Sequence, residues 1–147
     1  MSVHEHHFEL ELADEAGARI PATVDCAAKY WNDGQFSRRT CSISLKFGET
    51  QLSASEHDFF EALCRLREQF VTLGLAPLCY GACRNVFPSA MLRDMADGLR
   101  AYRLRLGSRG KPEVVEIFSS GDDLDIVSVA TQRQFYDAWL QSRHGAA

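Results

Sequence analysis

A chain of 147 residues with 46% hydrophobic and 24% charged side chains has ordinary globular composition and the length of one domain, which excludes a disordered tract or a multidomain array. Its formal net charge of −4 and pI near 5.7 point away from nucleic acid, whose binders carry a strongly basic face. No run approaches the roughly 20 apolar residues that cross a bilayer, and Met1 to Glu11 is acidic and His-rich where a secretory signal needs a basic flank, so a cytoplasmic protein without a membrane segment is expected.

Phe8, Leu10 and Leu12 alternate with His7, Glu9 and Glu11, the period-two signature of a half-buried strand. A weaker segment, Arg19 to Trp31, leads into Asn32-Asp33-Gly34, whose Asp-Gly pair suits a hairpin turn with positive φ. Pro21 confines that segment to an edge or places itself at the strand's beginning. The clearest strand is Thr40 to Phe47, with Cys41, Ile43, Leu45 and Phe47 on one side and Thr40, Ser42, Ser44 and Lys46 on the other. A three-strand antiparallel meander accounts for this half. Next, Ser55 as N-cap and Asp58 three residues on predict a helix whose Phe59, Leu63, Leu66 and Phe70 form one apolar stripe, stopped by Gly74. Leu75 to Tyr80 reads as a short buried strand interrupted by Pro77, followed by the loop Gly81 to Pro88. Pro88 and Ser89 open a short helix through Met91, Leu92 and Met95 that ends at Gly98. Leu99 to Leu106 alternates, with Tyr102, Leu104 and Leu106 on one side and Ala101, Arg103 and Arg105 on the other. Glu113 to Phe118 reads as an apolar turn or short helix, and Ser119 to Asp125 as an acidic loop. Thr131 and Gln134 have capping-box spacing and open a helix with Phe135, Ala138 and Trp139 in one stripe; the last five or so residues are expected to fray. The fold class is therefore α+β, one domain over residues 1–147: an antiparallel meander with a long helix on one face and a C-terminal helix.

Five cysteines, Cys26, Cys41, Cys64, Cys79 and Cys83, are an odd number without repeated spacing, the usage of free thiols in a reducing compartment. Cys41 and Cys64 fall in apolar periodic segments as small core residues. His4-Glu5-His6-His7 offers imidazoles but finds no further ligands at a zinc-like spacing, so no metal and no cofactor is expected. Three residues separate Cys79 from Cys83, where a thioredoxin-type pair has two. One of these thiols beside Arg84 is the best nucleophile available to an enzyme, with His57 or His144 as its base.

Charge is segregated along the chain. Residues 84–111 carry seven basic and two acidic side chains, a balance of +5, between segments 1–57 (five basic, nine acidic) and 112–147 (two basic, six acidic) at −4 each. Such a band either neutralises the acidic stretches within the fold or meets an anion. The stretch from Tyr80 to Arg93 gathers Gly81, Arg84, Asn85, an exposed Phe87 and Ser89, more than a connector needs. Alternatively, Asn85 and Ser89 satisfy local backbone groups, Val86 and Phe87 close the core, and Arg84 pairs with an acidic neighbour. The candidate binding residues are Tyr80, Arg84, Asn85, Ser89, Arg93, Arg103 and Arg105. Arginine forks suit carboxylates, so the partner class is a protein with an acidic surface or a small anion.

The run Leu78-Cys79-Tyr80-Gly81-Ala82-Cys83-Arg84-Asn85-Val86-Phe87-Pro88-Ser89-Ala90-Met91, with Arg93-Asp94-Met95, Gly98, Ala101-Tyr102 and Leu106-Gly107, resembles a family of small uncharacterised bacterial proteins. Val115 to Phe118 and the helix bearing Phe135 and Trp139 fit it too. Ala90 and Ala96 stand where glycine is expected in such proteins, and the resemblance supplies no activity. The function expected is a non-catalytic bacterial binding protein, a toxin-neutralising immunity protein or similar accessory partner. The alternative is a small enzyme or ligand-binding protein using the Tyr80 to Arg93 loop with Cys79 or Cys83.

Overall fold

The computed structural model describes residues 1–144, and the fraying expected at the tail falls, for 145–147, outside the described residues. Four long strands form the predicted meander with one strand more than expected: β1 (Ser2–Asp14), β2 (Arg19–Asp33), β3 (Phe36–Phe47) and β4 (Thr50–Glu56). A short β5 (Leu75–Pro77) returns beside β1, so the antiparallel sheet runs β4-β3-β2-β1-β5. Gly34 and Gly48 take positive φ at the two tight hairpins, a conformation that costs a residue with a Cβ. Pro21 sits in β2 opposite Glu11, two residues before pairing with β3 begins at Thr23, so the missing donor interrupts no β2–β3 ladder.

α1 (Phe59–Thr72) packs on the sheet's apolar face, built from Leu10, Leu12, Val24, Cys26, Ile43 and Leu45. Its predicted stripe, Phe59, Leu63, Leu66 and Phe70, is wholly buried. Phe60, Ala62, Cys64 and Arg67 are buried as well, because a second layer covers the helix from the other side. That layer holds a 3-10 turn at Tyr80–Ala82, a small antiparallel sheet of β6 (Val86–Phe87), β7 (Arg100–Arg103) and β8 (Glu113–Glu116), the short α2 (Ala90–Met95), and α3 (Val129–His144). Phe87 joins the layers: its ring stacks on Tyr136 at 4.0 Å and meets Phe60 edge-on at 5.1 Å.

Four local expectations are corrected. Ser55 does not cap α1; it lies in β4 with its hydroxyl 2.7 Å from that of Ser42, and Asp58, in extended backbone, accepts the Glu61 amide at 2.9 Å. α3 starts a turn earlier than Thr131, capped by Ser128 accepting from the Thr131 amide. Glu113–Glu116 is a strand, because pairing with β7 recruits its β-branched Val114 and Val115. The strand expected over Leu99 to Leu106 ends at Arg103, with Ala101 wholly buried and Leu106 56% exposed, whereas Phe87 closes the core at 7% exposure because the aromatic cluster under α3 takes it in. Among the described residues no helix is long and apolar enough to cross a membrane.

Candidate anion-binding site

A buried polar clip seats the Tyr80 to Val86 stretch. Gln132, fully buried on the first turns of α3, sets its amide nitrogen 2.9 Å from each of the carbonyls of Gly81, Cys83 and Val86, which share its two N–H groups. Its Oε1 accepts from Arg67 of α1 at 2.5 Å, and Arg67 also donates to Val127 carbonyl at 2.8 Å. Burial lowers the Arg67 pKa, since the interior disfavours its charge.

On this seat six of the seven predicted residues divide into three groups. Tyr80, Arg84 and Arg103 meet the acidic loop: Tyr80 Oη donates to Asp123 at 3.0 Å, Arg103 lies over the Tyr80 ring at 4.7 Å and bonds Asp123 at 2.8 Å, and Arg84 bonds Asp125 at 2.9 Å. The Tyr80 hydrogen bond, with Arg103, holds the Asp123 carboxyl below its ordinary range. Asn85 and Ser89 are occupied locally, the first donating to Leu104 carbonyl and the second capping α2 through the Leu92 amide. Arg93 lies apart, bridging Asp58 (2.8 Å) and Glu61 (3.4 Å) while resting over the Phe60 and Phe87 rings. Much of the basic band thus neutralises carboxylates inside the fold.

Arg103 and Arg105 face one pocket of about 200 Å3, lined also by Lys111, Glu113, Trp139 and Arg143. The connection from β7 to β8 forms its wall. Gly107 turns it with φ 75° and donates to Ser142 Oγ at 3.2 Å; Arg143, over Trp139 at 4.9 Å, donates to Ser108 carbonyl at 3.4 Å. α3 therefore straps the loop. Arg103 is shared with Glu113 and Asp123, whereas Arg105 and Lys111 have no partner among the described residues. Four cations face Glu113 and the partial negative charge, about half an electron, of a helix C-terminus, which leaves a positive hollow. Lys111 and Arg143 escaped the sequence reading; only their convergence in space marks them, since thirty-two positions separate them in sequence.

A third cluster was not read from sequence at all. Arg39 donates to the carbonyls of His57 (2.6 Å) and Arg93 (2.8 Å) and to Asp97 (3.1 Å), and Tyr30 donates a short hydrogen bond to the same Asp97. Asp97 has φ 55°, a conformation rare outside glycine, so this network pins the end of α2 to the sheet. Burial and the Asp97 bond push the Tyr30 hydroxyl above its usual pKa.

The thiols are inert in geometry and in charge. Cys79 is fully buried with its pKa pushed up to about 12 by desolvation, and burial raises Cys83 also; Arg84, the expected activator, is engaged with Asp125. The His144 side chain lies outside the described residues. Alkylation of native protein should therefore stay slow below about pH 8, and become fast only on unfolding, measured by mass spectrometry. Stability carries the same signature. Burial pushes Cys26, Cys41 and Cys79 up to about 12 from an ordinary 9.0. Between those limits the unfolded chain has released protons that the folded chain retains, so unfolding free energy falls as pH rises above 9, by about 1.4 kcal/mol per pH unit for each such thiol. Urea midpoints across that range should fall less steeply for Cys41→Ala.

The chain is thus an α+β protein carrying a basic pocket, and among the described residues no group of three or more His, Cys, Asp and Glu side chains could hold a metal. No family model matches it, and no curated protein matches it as a relative.

Proposed function

We propose that this protein is a non-catalytic binding protein that receives carboxylate side chains of an acidic partner in the Arg103–Arg105–Lys111–Arg143 pocket. The observation that carries the reading is the pair of cations, Arg105 and Lys111, that have no partner among the described residues and lie beside Trp139 in a fold whose other arginines are largely matched by carboxylates. A volume of about 200 Å3 suits one or two carboxylates and is too small for a nucleotide. Charge of this kind steers association and selects partners. A bacterial, cytoplasmic setting and a toxin-neutralising or accessory role extend the same reading: the work is to cover an acidic surface, and the resemblance of the Leu78 to Met91 run to small bacterial proteins is in keeping with it.

Trp139 fluorescence, titrated with a Glu- and Asp-rich peptide and separately with inorganic phosphate, tests it. Binding of the peptide should weaken with added salt, and Arg105→Ala with Lys111→Ala should weaken it at least about tenfold, the loss of about 1.4 kcal/mol. An affinity unchanged by the double substitution, or no binding at low salt, overturns the reading; phosphate binding alone assigns the pocket to a small anion.

A further inference from the structure

β1 has an open backbone edge. β5 pairs with it only at Leu12–Asp14, and the Leu78 amide donates to the Glu11 carbonyl just before. Among the described residues no strand continues beside it toward Ser2. In an antiparallel ladder the N–H and C=O of one residue point the same way and alternate along the strand. Because the Glu11 carbonyl faces β5, the polar groups of Val3, Glu5, His7 and Glu9 face outward at the same edge. The opposite edge is tended differently: Gln69 donates to the Ser53 carbonyl of β4 at 3.0 Å. Ser120 shares a hollow with Glu9 and Glu11 and bounds the open stretch there. Exposed edges of this length are templates for another strand.

The side chains on that edge select the strand. We propose that the occupant is a second copy of this chain, its β1 antiparallel to the first about a two-fold axis at His6. In this register Glu5 of each copy stands opposite His7 of the other, and Val3 opposite Glu9, as pairs that exchange backbone hydrogen bonds. His6 meets its own copy and His4 meets Phe8 on the inner side. The neighbouring registers that keep outward groups opposed are unfavourable: an axis at Glu5 sets two Glu5 carboxylates together, and an axis at His7 sets Glu5 against Glu9 twice. His7 is prepared for the bridge, since its Nδ1 is held by Asp25 at 2.7 Å and Nε2 is left to reach a carboxylate. A closed two-fold pairing buries both open edges at once and leaves none to extend.

Sedimentation equilibrium of the full chain should give twice 16.5 kDa. Glu5→Pro removes a donor that faces only the open edge, so the monomer should stay folded by circular dichroism while dimer affinity falls at least about tenfold. The register has its own readout: under mild oxidation His6→Cys, made with Cys26→Ala because Cys26 is its neighbour on β2, should give a reducible cross-linked dimer, and Glu5→Cys and His7→Cys should not. A wild-type monomer at the highest soluble concentration, a dimer indifferent to Glu5→Pro, or cross-linking through position 5 or 7 in place of 6 overturns the proposal.

Discussion

Gln132→Ala is expected to lower the free energy of unfolding by on the order of 3–5 kcal/mol, more than any surface substitution in this protein. The side chain is fully buried and serves three carbonyls, those of Gly81, Cys83 and Val86, none of which has water to turn to. It also supplies the closest acceptor of Arg67, a guanidinium 4% exposed whose other bonds go to the Gly81 and Val127 carbonyls and weakly to the Cys64 sulfur. Truncation takes the closest acceptor from a buried charge and leaves the Val86 carbonyl without its donor, while the Gly81 and Cys83 carbonyls keep only long bonds from Arg67 (3.4 Å) and the Val86 amide (3.3 Å). Glutamate in its place would hand Arg67 a carboxylate but turn oxygen toward three carbonyl oxygens, so Gln132→Glu should fail to rescue. Removing both partners is a different case: Arg67→Met with Gln132→Leu takes away the charge and the amide together, and the pair should cost clearly less than the two single losses added, by about 1 kcal/mol or more. Urea unfolding of the four proteins measures the cycle, and additivity would mean that the two side chains act separately.

The contrast between these buried polar residues and the apolar stripe of α1 explains what could be read in advance. Phe59, Leu63, Leu66 and Phe70 announce themselves by spacing, and the alternation of Thr40 to Phe47 by period two, because burial of one face imposes a periodic pattern on adjacent residues. β4 was missed since its inward residues, Leu52 and Ala54, are few and its outward serines resemble a loop; pairing with β3 supplies what propensity lacks. Gln132 and Arg67 carry no local signal whatever, as their partners lie 65 positions apart or on backbone carbonyls. The same holds for the pocket. Arg103 and Arg105 were legible as a pair, expected on one strand face, but β7 ends at Arg103 and Arg105 lies in the connection after it; Lys111 comes from the same connection and Arg143 from the end of α3. Arg93 was grouped with them by proximity in sequence, and the fold sends it to Asp58 on the other side of Phe87. Tyr80 and Arg84 were noticed for their chemistry, and their carboxylate partners, Asp123 and Asp125, were noticed only as an acidic loop; the pairing between them is a product of the second layer folding back.

Leu63→Ala is the second substitution with a large expected cost, on the order of 2–5 kcal/mol, and its partner effect at Gly81 shows how the α1 core sets the position of the loop. Leu63 is fully buried on the helix face that meets the 3-10 turn, and the space beside Gly81 is closed: a Cβ built there would stand 2.6 Å from Leu63 Cδ2, 2.9 Å from Ile117 Cβ and 3.0 Å from the Ile117 carbonyl. Gly81 is therefore required by close approach, its φ being ordinary, and Gly81→Ala should cost about 1–3 kcal/mol by overpacking. The two changes oppose one another in volume. Leu63→Ala empties the space that the new methyl group of Gly81→Ala would enter, so the double variant should be more stable than the sum of the single losses predicts, though Ile117 still resists on the other side. The loop reads out separately from the core. In Gly81→Ala alone the strain falls on Tyr80 and on the Gly81 amide that bonds Ile117 carbonyl at 2.9 Å, so Arg103, resting over the Tyr80 ring, shifts with it. Peptide affinity at the basic pocket should then drop in Gly81→Ala and recover in the double variant, while Leu63→Ala, which weakens the fold without pushing the turn, should leave affinity near that of the parent at temperatures where all are folded.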